Sequence, residues 1–157
     1  MLADRYAANA DASAATNPDR EVVGDDRTPP HRAPWVIAIR AEPDPEVAVR
    51  MLVDEVAGII RRVAPLIPVF LAVPGDAAGE VYRRSEQRRK KGYRTIVDDL
   101  LRKATPREGM TPSKATDLVF VLVGPEIYRT FVFDLGWQHD DWGRWVAGAL
   151  LRELYEM

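Results

Sequence analysis

The sequence predicts an all-α domain, an antiparallel bundle of about six to seven helices. Three observations support this class. Apolar residues recur at spacings of three and four over several long segments, as on the buried face of a helix. Helix-start signals that combine a capping side chain with proline occur at Asp44-Pro45 and Thr111-Pro112. No segment shows the sustained polar-apolar alternation of a strand, and no internal repeat is visible.

The chain divides into an N-terminal segment, 1–32, and a helical domain, 33–157. The first segment is rich in Ala, Asp, Asn and Pro with scattered charge, and Pro29-Pro30 lies near its end. Such a composition cannot bury enough apolar surface to fold firmly. We therefore expect residues 1–32 to be disordered or weakly ordered and residues 33–157 to form one domain.

The first two helices follow from proline starts and apolar spacing. A short helix is predicted over Ala33–Ala41, with Trp35, Val36 and Ile39 on one face and Ile37 off it. The next begins after Asp44 and is the strongest prediction in the chain. Its core-facing positions recur at helical spacing: Val49, Leu52, Val53, Val56, Ile59, Ile60 and Val63.

The middle of the chain is predicted to be helical with proline breaks. Pro65 and Pro68 interrupt the second helix, and a short apolar helix continues over Leu66–Val73. Asp76 is the expected cap of a long helix that runs to about Ala104.

Three helical segments complete the chain. One opens at Thr111-Pro112 and runs through Val123, and Pro125 restarts it at an angle over 126–135. Gly136 ends that segment, as a C-terminal glycine would. The last helix spans about His139 to the end of the chain, with Gln138 as a poor N-cap.

Bulk composition excludes several classes of function. The net charge of −2 provides no overall positive field for nucleic acid or an anionic membrane. The absence of cysteine removes thiolate chemistry, and no apolar run approaches the roughly 20 residues that span a bilayer. His31 and His139 have no partner at ligand spacing, and no nucleophile or phosphate-loop motif appears. We expect a cytoplasmic protein that is not an enzyme, with no cofactor, no metal site and no membrane association.

The densest charge run, residues 83–94, holds seven basic side chains and one acidic one. On a helix these side chains point in all directions, which favours a solvated surface over a phosphate-binding one. Arg89 alone falls on the expected inward stripe with Ser85 and Tyr93. A buried guanidinium needs a partner. It could pair with Asp54 or Glu55, extend to solvent, or bind an anionic or carbonyl-bearing ligand.

Several short motifs follow one another along the chain in a fixed order and spacing: Val23-Gly24-Asp25-Asp26 followed by Trp35, Arg62-Val63-Ala64-Pro65-Leu66, Arg88-Arg89 with Gly92, Pro125-Glu126-Ile127-Tyr128, Gly136-Trp137 and Arg144-Trp145. On these motifs, from about Val22 to Leu154, the chain resembles the C-terminal domain of TetR-family transcriptional regulators. The resemblance implies a helical ligand-sensing domain. It also implies that the last two helices, over Thr111–Leu135 and His139–Met157, form a four-helix interface with a second copy.

Two sets of site residues are expected under this resemblance. A pocket for a small-molecule effector would be lined by Met51, Glu55, Ile59, Phe70, Tyr82, Ser85, Arg89, Tyr93, Phe120 and Tyr128. A dimer interface would use Leu118, Leu122, Ile127, Phe131, Trp142, Trp145, Val146, Ala149 and Leu150. Ordinary core packing is the alternative for each pocket residue, and packing within one chain is the alternative for the terminal helix.

The expected function is that of a homodimerising sensor domain without its own DNA reader. Residues 1–33 show no recognition-helix pattern and little basic charge, so we expect no DNA binding by this chain alone. The chain would then be a truncated regulator or a free-standing sensor. An interaction protein that heterodimerises with full-length relatives is the alternative, and an all-α enzyme would require a polar catalytic cluster between the helices.

Overall fold

The computed structural model describes residues 32–72 and 77–156, and this part of the chain is all-α, as predicted. The ordered elements are α1 (Pro34–Ala41), α2 (Pro45–Val63), a 3₁₀ turn (Ala64–Leu66), α3 (Ile67–Ala72), α4 (Ala77–Leu100), α5 (Pro112–Leu122), α6 (Pro125–Arg129) with a following π-helical turn (Thr130–Asp134), and α7 (His139–Leu154). The expected N-terminal segment lies outside the described residues, apart from Arg32.

The helix starts confirm the capping predictions where they can be seen. The Asp44 carboxylate accepts hydrogen bonds from the backbone N–H groups of Glu46, at 2.8 Å, and Val47. The Thr111 hydroxyl accepts from the N–H of Lys114 at 3.2 Å. Both caps satisfy donors that have no partner within the first helical turn. The expected cap at Asp76 lies outside the described residues.

Two helix ends differ from the prediction, for one shared reason. Helix α4 ends at Leu100 instead of Ala104, and α7 ends at Leu154 instead of continuing to Met157. The chain after α4 forms an isolated antiparallel bridge between Pro106 and Tyr155. The Tyr155 hydroxyl also donates to the Leu100 carbonyl at 2.7 Å. Pairing between distant segments therefore ends both helices, and local sequence does not report it.

Helix α2 supplies much of the core. One stripe of it is buried against α1, α6 and α7: Ala48, Val49, Leu52, Val53, Val56, Ala57 and Ile60. Trp142 and Tyr128 are the largest fully buried side chains, and their rings meet edge to face with centroids 4.8 Å apart. Val36 and Ile39 of α1 are buried while Ile37 is 52% exposed, as the apolar spacing predicts.

The break between α5 and α6 depends on a close backbone approach at Gly124. A Cβ atom there would lie 2.9 Å from the Val121 carbonyl oxygen and 3.2 Å from that of Phe120. Farther along, Gly136 has a φ of 74°, a left-handed conformation that favours glycine. The predicted restart at Pro125 and the predicted stop at Gly136 are both confirmed.

Candidate functional site

Arg89 connects α4 to α5 through a half-buried polar cluster. Its Nε donates to the Glu86 carboxylate at 3.0 Å and its Nη1 donates to the Phe120 carbonyl at 3.0 Å. The guanidinium carbon lies 4.0 Å from the centroid of the Phe120 ring and 5.6 Å from that of Tyr93. Of the alternatives for Arg89, pairing with Asp54 or Glu55 is not the one formed: its carboxylate partner is Glu86, one turn earlier on the same helix.

The Phe120 carbonyl is available to Arg89 because of the break that follows α5. Its usual helical donor would be the N–H of Gly124, but that N–H bonds to the Val121 carbonyl at 3.0 Å. Pro125 has no N–H to offer Val121 in exchange. Arg89 therefore caps the C-terminus of α5 from a neighbouring helix. Burial lowers the pKa of Arg89, but hydrogen bonds and charge attraction from Glu86 outweigh it, so the net shift is upward.

The other predicted pocket residues are dispersed over the structure. Tyr93 is buried beside Arg89, and Tyr82 donates to the Glu126 carboxylate. The Tyr128 hydroxyl and His139 Nδ1 are 2.9 Å apart. Ser85, which the helical spacing placed on the inward stripe, is exposed.

Three further residues of the predicted pocket lie on α2 and are buried to different extents. Ile59 is 44% exposed, whereas Met51 and Glu55 are half-buried. The side chain of Phe70 lies outside the described residues. The structure therefore brings Arg89, Tyr93 and Phe120 together and does not gather the predicted set around one cavity.

A cleft lies between α2 and α7 and has a volume of about 740 Å³. Its floor is made of small and apolar residues, and charged side chains stand along both rims. The lining consists of Glu46, Val47, Arg50, Asp54, Ala57, His139, Asp140, Gly143, Arg144 and Ala147. None of the predicted pocket residues lines it. The sequence alone does not locate this cleft, because its position depends on which helices pack together. The signal in the sequence is Gly143, since a glycine inside a helix indicates close approach of another group.

Only some of the charged side chains that line this cleft form ion pairs. Arg50 Nη2 lies 2.7 Å from the Glu46 carboxylate, and Arg144 pairs with Asp141. Among the described residues, Asp54 and Asp140 form no ion pair. Burial in the cleft raises the pKa of Asp54 to about 6, and the negative charges of Asp140 and Glu55 add to this shift.

A second surface feature is a cluster of aromatic rings where the π-helical turn meets α7. Phe131 stacks on Trp145 with centroids 4.7 Å apart, and Trp137 contacts both rings, at 4.8 and 6.1 Å. Phe133 is 53% exposed and meets the Tyr128 ring edge to face, with centroids 6.2 Å apart. Leu135 is 62% exposed and Trp137 37%. We call these five residues, Phe131, Phe133, Leu135, Trp137 and Trp145, the aromatic face.

The structure divides the predicted dimer-interface residues into two groups. Trp142, Val146 and Leu150 are fully buried within the protomer and present no surface to a partner. The remaining predicted residues are partly exposed: Leu118, Leu122, Ile127, Phe131, Trp145 and Ala149. Sequence reasoning missed Phe133 and Leu135 because a π-helical turn over Thr130–Asp134 replaces the regular helix predicted there. It missed Trp137 because that residue follows the turn at Gly136, whose direction the spacing does not show.

Comparison with protein-family models, with curated proteins and with solved structures finds no match to this chain. Within residues 32–72 and 77–156, no helix combines the length and apolar character needed to cross a membrane.

Proposed function

We propose that this chain is the effector-binding and dimerisation domain of a TetR-like regulator, and that two copies pair through the aromatic face. The observation that carries the proposal is the cluster of Phe131, Trp137 and Trp145 rings, together with the exposure of Trp137, Phe133 and Leu135. Isolated exposed apolar residues are common on protein surfaces, but partly exposed aromatic rings in mutual contact, with further exposed apolar residues on the same turn, are typical of an interaction site.

The composition and rigidity of the aromatic face suit a protein interface. Trp, Phe and other large side chains at the centre of an interface provide most of its binding energy. Here the rings already hold each other in place, since Phe131 lies between Trp137 and Trp145. Less side-chain entropy is then lost on association. A two-fold axis through the face would place the same surface on both partners.

The sequence resemblance supports a second copy of this chain as the partner. The motif residues Trp137 and Trp145, which are eight positions apart, converge on the single ring of Phe131. In TetR-like domains the corresponding region pairs with its twin. By analogy with such regulators, DNA contact would come from a separate helix-turn-helix domain, and effector binding would shift the population between two arrangements.

The test is sedimentation velocity over a range of protein concentrations. The wild-type chain should sediment as a dimer, and Leu135→Ser and Phe133→Ser should shift it to monomer while the circular-dichroism spectrum stays helical. Val69→Ser is the matched control, because Val69 is also 62% exposed but lies on α3. A monomeric wild type at tens of micromolar or more, about 10⁻⁵ M, would refute the pairing. Equal dissociation by Val69→Ser would refute its location.

A further inference from the structure

We infer that the cleft between α2 and α7 binds a small organic cation with an apolar body. The amine or guanidine group of this cation would bind to Asp54 and Asp140. The cleft volume of about 740 Å³ falls within the range of roughly 300–1,000 Å³ that is usual for small-molecule sites. Neither the resemblance nor the predicted pocket residues point to this position.

The first support is the state of the charges along the rims. Both arginines of the cleft are already engaged by carboxylates, Arg50 by Glu46 and Arg144 by Asp141. Of the carboxylates that line the cleft, Asp54 and Asp140 form no ion pair with a described residue. The negative charge of Asp140 raises the cost of ionising Asp54. A cation held between them would remove that repulsion and form two charge-assisted hydrogen bonds.

The second support is Gly143, which is independent of the charges. A glycine in a helix interior costs about 1 kcal/mol relative to alanine. A Cβ atom at Gly143 would meet only Val53 Cγ1, at 4.0 Å, so packing within the described chain does not require its absence. Gly143 lies on the floor of the cleft, where a methyl group would occupy the space of a ligand. Close approach of a bound molecule explains the glycine.

The third support is the chemistry of the cleft floor, which favours an organic molecule over a bare metal ion. Val47, Ala57 and Ala147 present apolar surface between the charged rims. Among the described residues, no group of three or more His, Asp and Glu side chains is placed to hold a metal ion. An alkyl or aryl chain would cover the floor while its cationic end reaches the carboxylates.

Binding of a cation in the cleft does not require dimerisation. Only the interpretation of the cleft as an effector site rests on the proposed function. Helix α7 carries the cleft on one side and Trp145 of the aromatic face on another. A ligand that alters the packing of α7 on α2 could therefore be sensed at the pairing surface.

The experiment is a titration with hexylamine, followed by two-dimensional amide NMR at a pH above about 7, where Asp54 is ionised and hexylamine is protonated. Saturable shifts are expected at the amides of Asp54, Asp140 and Gly143. Hexanol and hexanoate, which share the alkyl chain without the positive charge, should bind at least about tenfold more weakly.

Variants locate the site and keep the inference falsifiable. The double variant Asp54→Asn with Asp140→Asn should weaken hexylamine binding at least about tenfold, whereas Asp117→Asn, on α5, should leave it unchanged. Gly143→Ala is compatible with the fold and should weaken binding by filling the floor. Unchanged binding in the double variant or in Gly143→Ala, or equal binding of hexanoate, would overturn the inference. Retention of binding in monomeric Phe133→Ser would separate this result from the proposed dimer.

Discussion

The cap that Arg89 places on α5 predicts a stability loss on replacement by methionine. Arg89→Met keeps an apolar stem of similar length but removes the hydrogen bonds to Glu86 and to the Phe120 carbonyl. A hydrogen bond from a charged donor contributes about 1.5–3 kcal/mol, and a cation over an aromatic ring adds about 1 kcal/mol. The Arg89 side chain is only 17% exposed, so solvent replaces these contacts poorly. We expect the free energy of unfolding to fall by about 2–3 kcal/mol, after the favourable burial of the methionine stem is counted.

Urea denaturation, followed by helical circular dichroism, measures this loss directly. Arg88→Met is the matched control, because Arg88 is the exposed neighbour on the same helix and its replacement should change stability by less than about 0.5 kcal/mol. Arg89→Lys should show an intermediate loss, because an ammonium group cannot bond to the Glu86 carboxylate and the Phe120 carbonyl with the fixed fork of a guanidinium. If Arg89→Met matched Arg88→Met, the capping role would be wrong.

Three further changes test other parts of the structure. Gly124→Ala should lower the free energy of unfolding by about 1–3 kcal/mol in urea denaturation, because its Cβ would lie 2.9 Å from a backbone oxygen; a neutral effect would contradict the close approach. Tyr155→Phe should cost about 1 kcal/mol in the same assay through loss of the buried bond to Leu100, and an unchanged midpoint would argue against that bond. Asp54→Asn should become more stabilising relative to wild type as pH rises from about 4 to about 7; a difference that stays constant with pH would refute the raised pKa.

The sign of the pH effect follows from proton binding. Folded Asp54 keeps its proton up to a pKa of about 6, whereas in the unfolded chain it loses the proton near 3.8. The native state therefore binds more protons between these values, and the stability contributed by this group falls as pH rises through that window. Asp140, Glu55 and His139 are the titratable neighbours, and Arg50 and Arg144 are the nearby cations. The full shift corresponds to about 3 kcal/mol, but screening at an exposed rim reduces the expected effect to about 1 kcal/mol or less.

The elements that sequence reasoning located depend on local chemistry. Asp44-Pro45 and Thr111-Pro112 place a capping oxygen and a compatible φ within one turn, and the structure shows both side chains accepting the expected N–H bonds. Gly136 is likewise a local requirement, since its positive φ is costly for other residues. These features are visible without knowing which helices are neighbours.

The sites that sequence reasoning did not locate depend on contacts between distant segments. Helix α7 carries two apolar stripes, and spacing alone cannot say which of them faces the core. The structure buries Trp142, Val146 and Leu150 and leaves Trp145 and Ala149 partly exposed. The prediction placed both stripes at the dimer interface.

The cleft was missed for the same reason. Asp54 and Asp140 are 86 positions apart in sequence, and they line the same cleft only because α2 packs on α7. Arg89 shows the converse case: its partner, Glu86, is close in sequence, whereas the alternatives drawn from the sequence considered carboxylates on another helix.

The most direct measurement of the central claim is an isotope-filtered NOE experiment on an equal mixture of labelled and unlabelled chains, which reports only contacts between protomers. If two copies pair through the aromatic face, intermolecular NOEs should connect the ring protons of Trp137, Phe133 and Trp145 to the partner. An absence of intermolecular NOEs at concentrations where the wild type is fully associated, or NOEs confined to Leu66 and Val69 on the other exposed apolar segment, would contradict it.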